Sequence, residues 1–262
     1  MSSKQGGKAK PLKQLKVDKK EDDERSKKAI EEIIKSASAI KDHLTSFVAF
    51  RQYDRNGLSV YFESGFGDQL SSPVKKCIQN LLKVNMEDPY GPEWPMEEKV
   101  KRREMVAPEA RYIFVWEASD DFVSDNILTH DYRSNCQCSD KKHLVGFVHF
   151  RFTVEEDIPV TYVYELQLEN CARGKGLGKF LMQLMELIAC KNRMGAVMLT
   201  VQKSNTAAIN FYNKLRYIIS ATSPSKVDPL IGVEKSYEIL CKTFTSDAKS
   251  KLEEISCNLK DG

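Results

Sequence analysis

Apolar positions follow helical spacing in some segments of the chain and strand spacing in others, which predicts a domain of mixed helices and strands. From residue 24 to 44 they recur at every third or fourth position, which predicts an amphipathic helix packed on the domain. Strict alternation from Val160 to Leu168 predicts a half-buried strand, and its hairpin partner runs from about Leu144 to Val154. A helix from Gly178 to about Asn192 and a strand near 195–201 follow. Such alternation is typical of an α/β (α+β) fold with a mixed sheet.

The same pattern predicts one main domain flanked by a helix and two tails. The domain covers 45–244, and its polar, irregular segment 118–142 indicates an insertion. Residues 1–23 form a predicted basic, disordered tail because they contain almost no large apolar side chains. The helix over 24–44 connects this tail to the domain, and 245–262 form a charged C-terminal tail.

Composition and charge narrow the class of protein. The 262 residues are 41% hydrophobic and 29% charged, which is ordinary for a globular protein. Residues 1–28 carry ten Lys or Arg and five Asp or Glu, a net charge of +5, which predicts either weak nucleic-acid contact and nuclear localisation or a solvated tail. The sequence has neither an apolar run near the ~20 residues of a membrane span nor the apolar core of a signal peptide. We therefore expect a protein of the nucleus and cytoplasm without membrane contact, whose seven scattered cysteines are reduced.

The most informative short segment is the hexapeptide Arg-Gly-Lys-Gly-Leu-Gly at 173–178, between the alternating strand and the next helix. Its alternate glycines lack a Cβ, so the backbone can approach a ligand closely. Free amides and the dipole at the helix start favour an anionic phosphate group. The segment fits neither a Walker loop nor a dinucleotide fingerprint, because the decisive residues or spacings differ. It predicts an anion-binding turn.

The pattern Arg-x-x-Gly-x-Gly resembles the pyrophosphate loop of the GCN5-related N-acetyltransferases (GNAT), which bind acetyl-CoA. The next strand, Asn205-Thr206-Ala207-Ala208 and Phe211-Tyr212 also follow in the order of that family. The resemblance implies a mixed, mostly antiparallel, twisted sheet with flanking helices and a splayed central strand pair. It implies acetyl-CoA as co-substrate. The residues assigned to the coenzyme are Leu166, Gln167, Leu168, Arg173, Gly174, Lys175, Gly176, Leu177, Gly178, Thr200 and Asn205.

Further stretches resemble the histone-selective N-terminal acetyltransferases of the NatD type. These stretches are Tyr53–Leu58, Glu93-Trp94, Phe150–Phe152 with Tyr162–Glu169, Lys175–Leu181, Met198–Val201, Ser223–Ser225 and Ser236–Leu240. Members of that group acetylate the first residue of histone H4 and of the A-type histone H2. The resemblance implies that the acetyl group passes directly, in a ternary complex, to the α-amino group of a tail that starts Ser-Gly-Arg-Gly. We expect the protein to be monomeric.

The residues expected to bind the acceptor are aromatic or acidic. Rings can hold a peptide start, and carboxylates can pair with its arginine. The expected residues are Trp94, Tyr162, Tyr164, Tyr237 and Glu155, with Glu156 and Asp157 beside it. Thr153 departs from the NatD-type pattern, which has an acidic residue at this position, so we expect a weaker contact there. The alternative for the tyrosines and acids is a plain sheet and a solvated turn.

Three residues are candidates for catalysis. Glu165 is the expected base, with Tyr164 beside it, although strand alternation directs the two side chains to opposite faces unless a bulge re-aims one. Tyr212 stands where the family places a general acid, and core packing is its alternative.

A metal site and two other functions are the alternatives to this interpretation. His130, Cys136, Cys138 and His143 could suggest zinc, but the cysteine spacing is shorter than in structural zinc sites, so we expect no metal. The competing functions are acetylation of lysine or small amines on the same fold, and a catalytically silent binding module.

Overall fold

The computed structural model describes residues 12–118, 137–139 and 142–253, with the backbone alone for 12–23 and 137–139. The described helices are α1 (Leu12–Ser38), α2 (Ser72–Tyr90), α3 (Trp94–Glu104), α4 (Leu177–Lys191), α5 (Thr206–Lys214), α6 (Pro224–Val227), α7 (Pro229–Glu234) and α8 (Ser246–Leu252). The described strands are β1 (Gln52–Arg55), β2 (Leu58–Phe66), β3 (Arg111–Glu117), β4 (Gln137–Ser139), β5 (Lys142–Glu155), β6 (Ile158–Leu168), β7 (Ala196–Gln202), β8 (Ile218–Ile219) and β9 (Tyr237–Thr243).

The strands form one nine-stranded sheet in the order β1-β2-β3-β5-β6-β7-β9-β8, with β4 paired to β5. All described pairings are antiparallel except β6 with β7, which are parallel. The predicted fold class, a mixed and mostly antiparallel sheet with flanking helices, is confirmed.

The parallel pair separates partway along its length. β6 and β7 are paired from Val160 and Ala196 to Val163 and Leu199, and no pairing joins the described residues beyond that point. On the other side, β6 stays paired with β5 as far as Leu168. The predicted splayed strand pair is therefore present, and it opens at the centre of the sheet.

Helices cover both faces of the sheet. On one face lie α1, α4 and α5, and α4 buries residues at helical spacing, among them Leu177, Leu181, Leu184 and Ile188. Burying each such side chain contributes about 1.5–3 kcal/mol, so packing holds this helix in place. On the other face, α2 and α3 cover Tyr112, Phe114 and Trp116 of β3, while α8 covers the far end of the sheet.

Three boundaries differ from the sequence-based expectation. The helix expected over 24–44 spans Leu12–Ser38, because helix-forming Leu, Lys, Gln and Glu residues continue it towards the N-terminus. The expectation of a disordered tail is therefore wrong over 12–23. It ends at Ser38, whose carbonyl accepts a hydrogen bond from Nη2 of Arg111 at 2.9 Å. Part of the expected C-terminal tail forms α8, which buries Ala248 and Leu252 on the sheet. Within the expected insertion, β4 pairs with β5, and the rest of 119–141 lies outside the described residues.

Two further expectations concern the redox state of the cysteines and the presence of a membrane span. Cys171, Cys190 and Cys241 are free thiols, but the prediction of reduced cysteines is wrong at Cys77, which is disulfide-bonded. Within the part of the chain that the structure describes, no helix combines the length and the apolarity that a membrane span needs.

Candidate active site

A cleft of about 1170 Å³ opens where β6 and β7 separate. Its walls include Tyr164–Leu168 of β6, Leu199–Gln202 of β7, the start of α4 and the inner side of α5. Because β6 loses β7 as a partner after Val163, its backbone groups on that side are available to a ligand. The carbonyl of Leu168 is an exception, since it accepts bonds from Asn85 Nδ2 at 3.1 Å and Arg173 Nε at 3.2 Å.

The glycine loop lies at the mouth of this cleft. Gly174 and Gly176 have φ values of 73° and 88°, a left-handed conformation that favours glycine, and Gly176 caps α4. Asn56 at the tip of the first hairpin donates from Nδ2 to the carbonyl of Lys175 at 2.8 Å. The first amides of a helix have no partner within the helix, so those at the start of α4 suit an anion.

Two expected coenzyme residues do not line the cleft with their side chains. The Lys175 ammonium donates to the carbonyl of Gly57 at 3.0 Å, and the Leu177 side chain is fully buried in the core. Both can still contribute through the backbone. The cleft is lined by the others, namely Leu166, Gln167, Leu168, Arg173, Gly174, Gly176, Gly178, Thr200 and Asn205. Asn205 also caps α5, with its Oδ1 accepting from the amide of Ala208 at 3.1 Å.

A β-bulge decides which way Glu165 points. His149 pairs with Glu165 and Phe150 with Val163, so Tyr164 is an extra residue without a partner on β5. Tyr162 pairs with Arg151, which lies two residues from His149 and so on the same face. Glu165 and Tyr162 therefore share the face covered by α2 and α3.

The Tyr164 ring is also held on this face. It stacks on His149 with ring centroids 5.0 Å apart, and the guanidinium of Arg151 lies 4.4 Å from its centroid. Its ring centroid is 5.4 Å from that of Tyr162. The bulge thus removes the conflict that strict alternation creates, and it brings both tyrosines and Glu165 to one wall of the cleft.

Glu165 is buried, with 6% of the residue exposed. Its Oε1 accepts from the ammonium of Lys101 on α3, and its Oε2 accepts from Gln167 Nε2 at 2.7 Å. Gln167 in turn accepts from Asn85 Nδ2 at 3.0 Å. Burial alone would lower the pKa of Lys101, but the contact with Glu165 prevails and raises it. The site therefore holds a buried ion pair.

The acceptor end of the cleft is polar. Tyr162 and Thr200 share a hydrogen bond of 2.6 Å between their hydroxyls. Burial raises the pKa of Tyr162 to about 12 against the opposing effect of that bond, so Tyr162 remains a phenol at neutral pH. Thr153 and Glu155 line the same wall, and burial followed by the neighbouring Glu156 raises the pKa of Glu155.

Two expected aromatic residues lie elsewhere. Trp94 is 3% exposed in the core between α2, α3 and the sheet, and it does not line the cleft. α2 continues to Tyr90, and Trp94 is the first residue of α3. The ring therefore turns inward. Tyr90 lines the cleft instead, with the Lys101 ammonium 5.3 Å from its ring centroid.

Tyr237 is half-buried on β9, opposite Gln202 of β7, and it lies outside the cleft wall. Tyr212 lines the cleft and also packs in the core, with its ring centroid 5.0 Å from Phe211 and 5.8 Å from Tyr217. Burial raises the pKa of Tyr212 well above its usual value, so it carries its proton at neutral pH. Both expectations for Tyr212, acid and core residue, are compatible with this placement.

Sequence reasoning missed several cleft residues. They are Asn85, Tyr90, Glu97, Lys101 and Glu104. One signal was available for three of them, because Glu97, Lys101 and Glu104 have the spacing of a single helix face. What that face meets could not be inferred, since it depends on how α3 docks on the sheet.

The structure offers no support for a metal site within the described residues, where no group of three or more His, Cys, Asp or Glu could hold an ion. His143 lies between Glu117 and Glu169, with ring-nitrogen distances to their carboxylates of 3.2 and 3.1 Å. His130 and Cys136 lie outside the described residues, as does the side chain of Cys138.

The chain belongs to the acetyltransferase (GNAT) family, whose model matches residues 84–217. It is 35% identical over 86 residues to a mycothiol acetyltransferase of Nocardia farcinica (strain IFM 10152), a match that covers 32% of this chain and 26% of that protein. The chain thus spans about a quarter of that relative's length.

Two solved structures are also similar. The PaiA N-acetyltransferase of Thermoplasma acidophilum, in complex with coenzyme A, aligns over 70% of this chain and 99% of its own, with 16% identity and a TM-score of 0.45. A chain of the NatC complex bound to Gag peptide and CoA aligns over the same shares, with 16% identity and a TM-score of 0.44.

Proposed function

We propose that this protein transfers the acetyl group of acetyl-CoA to the N-terminal α-amino group of histone H4 and of the A-type histone H2. The observation that carries the proposal is the wall formed by Tyr162, Tyr164 and Glu165 at the point where β6 and β7 separate. This wall places a carboxylate and two aromatic rings beside free backbone groups of a strand. Such an arrangement suits an amine and an acyl donor that meet at the centre of the sheet.

The fit of the coenzyme rests on the glycine loop and the open edge of β6. The amides at the start of α4, presented by Gly174 and Gly176, suit a pyrophosphate group. The unpaired backbone of Leu166–Leu168 suits the amide-bearing arm of the same molecule. When bound, acetyl-CoA supplies an acetyl thioester, in which the carbonyl carbon is open to attack by an amine.

The protein has little proton chemistry to perform. An α-amino group has a pKa of about 7.7–8.0, so a useful fraction is already neutral at cellular pH. The acceptor nitrogen forms a bond to the acetyl carbon, the carbon–sulfur bond breaks, and the thiolate leaves. Glu165 accepts the proton that the nitrogen loses, directly or through one water. Tyr212 lines the cleft and carries its proton at neutral pH, which supports our proposal that it donates this proton to the thiolate.

The acceptor end supports a basic peptide start. Glu155 can pair with an arginine side chain, and Thr153 can accept or donate a hydrogen bond without charge. Tyr90 takes the place in the wall that we expected for Trp94. The excess of basic residues in 1–28 supports our further proposal of a nuclear and cytoplasmic protein that contacts nucleic acid weakly.

The test is acetylation of synthetic peptides that begin Ser-Gly-Arg-Gly, with the α-amine free or blocked, in the presence of acetyl-CoA. We expect mass spectrometry to find the acetyl group on the first residue of the free peptide only. Acetylation of an internal lysine in the blocked peptide would support a lysine acetyltransferase instead. Turnover of small amines but of neither peptide would support a small-amine acetyltransferase. Coenzyme binding without turnover of any amine would support a silent binding module.

The specificity for histones needs a second comparison. Peptides in which the third residue is changed from Arg to Gln keep the same α-amine but lose the guanidinium. We expect a higher KM and a similar kcat for this peptide, because Glu155 loses its partner while the reacting groups are unchanged. Equal kinetics for both peptides would contradict the histone-tail assignment and leave the N-terminal activity in place.

A further inference from the structure

The carboxylate of Glu165 contacts the ammonium of Lys101, a contact that no sequence motif predicts. Nζ of Lys101 contacts its Oε1, and the two side chains are 12% and 7% exposed. Gln167 holds the second oxygen and is itself held by Asn85. A buried ion pair persists only when good geometry and additional hydrogen bonds offset the loss of hydration. This pair has both.

Several charged or titratable groups surround Glu165. They are Tyr90 on α2, Lys101 and Glu104 on α3, Tyr112 on β3, His149 and Arg151 on β5, Tyr164 on β6 and Tyr212 on α5. Arg151, the other cation, is directed elsewhere, since its Nη2 donates to the carbonyl of Glu104 at 2.8 Å. Lys101 is therefore the cation that touches the carboxylate.

We propose that Lys101 is a positioning residue for acetyl transfer, which keeps Glu165 ionised and turned towards the face that carries Tyr162 and Tyr164. This inference rests on the function proposed above. A carboxylate has about four lone-pair sites, so the bonds from Lys101 and Gln167 leave sites free to take a proton. Burial disfavours the charge of a carboxylate, and the ammonium of Lys101, which touches Glu165, favours it.

The same bonds also fix the direction of the carboxylate. The bulge at Tyr164 turns Glu165 to this face, and α3 and α2 then hold its two oxygens through Lys101 and the Gln167–Asn85 pair. A base held in one orientation loses less freedom when the amine arrives. Lys101 acts through Glu165 and need not touch the substrate.

The first test compares Lys101→Met with Lys101→Arg and with Lys99→Met, a control at an exposed position of the same helix. We expect Lys101→Met to lower kcat at pH 7 about ten-fold and to move the acid limb of the kcat profile upward by about one pH unit, with partial recovery at high pH. The KM for acetyl-CoA should be unchanged, Lys101→Arg should restore most of the activity, and Lys99→Met should behave as the wild type. An equal loss at every pH, or no loss, would overturn the inference.

The second test does not depend on turnover. In protein with carbon-13 in its glutamate carboxyls, the signal that disappears in Glu165→Gln belongs to Glu165. We expect this carboxyl to take up its proton at a higher pH in Lys101→Met than in the wild type. An unchanged titration would overturn the inference even if the peptides proposed above are not substrates, whereas inactivity of the wild type would count against the proposed function alone.

A double substitution covers the case in which Lys101→Met does not fold, because that variant leaves a buried carboxylate without its cation. Lys101→Met with Glu165→Gln carries no such charge. We expect the double variant to be as slow as Glu165→Gln alone, since Lys101 would act only through that carboxylate. Rate losses that multiply would show that Lys101 acts independently, which would contradict the proposal.

Discussion

The hydroxyl of Tyr53 donates a hydrogen bond of 2.5 Å to the carbonyl of Lys175, 122 positions later in the chain. This bond ties the first hairpin of the sheet to the glycine loop that opens α4. It also brings the Tyr53 oxygen so close that a Cβ on Gly176 would lie 2.8 Å from it. The loop is therefore shaped by a remote hairpin as well as by its own glycines.

We expect Gly176→Ala to weaken coenzyme binding strongly. An alanine at a φ of 88° costs about 1–2 kcal/mol, and the new methyl group must also displace Tyr53 from Lys175. The control is Gly91→Ala, where φ is 54° but a Cβ would meet nothing within 4 Å. Isothermal titration with CoA should give at least a ten-fold higher Kd for Gly176→Ala and an unchanged Kd for Gly91→Ala. Equal affinities in both variants would contradict the role of this loop.

We expect Glu165→Gln to lower kcat about 100-fold, because general bases typically contribute 10²–10⁴-fold and an amide cannot accept the proton. The amide keeps the size of the side chain and can still accept from Lys101. The KM for acetyl-CoA should therefore change little. Glu98→Gln, which removes the surface partner of Arg102 on α3, serves as the control and should retain full activity. A normal rate in Glu165→Gln would show that the base lies elsewhere.

We expect Thr153→Asp to tighten the binding of Ser-Gly-Arg-Gly peptides. Charge-assisted hydrogen bonds exceed neutral ones by about 1 kcal/mol, which corresponds to a KM about five-fold lower. The gain should shrink as salt is raised. Val154→Asp adds the same charge one residue away, on the opposite face of β5, at a side chain that is 41% exposed. The same gain in both variants would indicate a general charge effect and not a contact in the cleft.

The buried His149 should make stability depend on pH. Burial, followed by Arg151 and Lys101, lowers its pKa to about 3. The unfolded chain therefore binds a proton near pH 6.5 and the folded chain does not, so the free energy of unfolding falls as the pH drops from about 6.5 towards 3. His149→Phe keeps a ring between Tyr112 and Tyr164, and we expect a smaller fall in urea titrations at pH 6.5 and pH 5.

His143 should change the pH dependence of stability in the direction opposite to His149. Its hydrogen bond to Glu169 is the main reason that its pKa is raised, so its contribution is present below about pH 6.5 and is lost as the pH rises above that value. His143→Gln should therefore leave the slope between pH 5 and 6.5 unchanged. His43, with a pKa lowered to about 4 by burial, acts in the same direction as His149 and should keep part of the slope in His149→Phe.

The sequence by itself determined the features that depend on neighbouring residues. Alternation over Val160–Leu168 specified a strand, and three glycines within 173–178 specified a turn open to an anion, because periodicity and φ preferences act over a few residues. The order of these segments along the chain was enough to indicate the fold class and the family.

Only the tertiary structure decided which residues share the site. The bulge at Tyr164 exists because β5 and β6 differ by one residue in register, which no pattern within β6 alone reveals, and it turns Glu165 towards Tyr162. The contact between Lys101 and Glu165 and the inward turn of Trp94 follow from how α3 docks on the sheet. How α3 docks depends on the summed packing of segments that are distant in the chain. The sequence therefore shows that α3 carries a charged face and an aromatic ring, but not which residues of the sheet they meet.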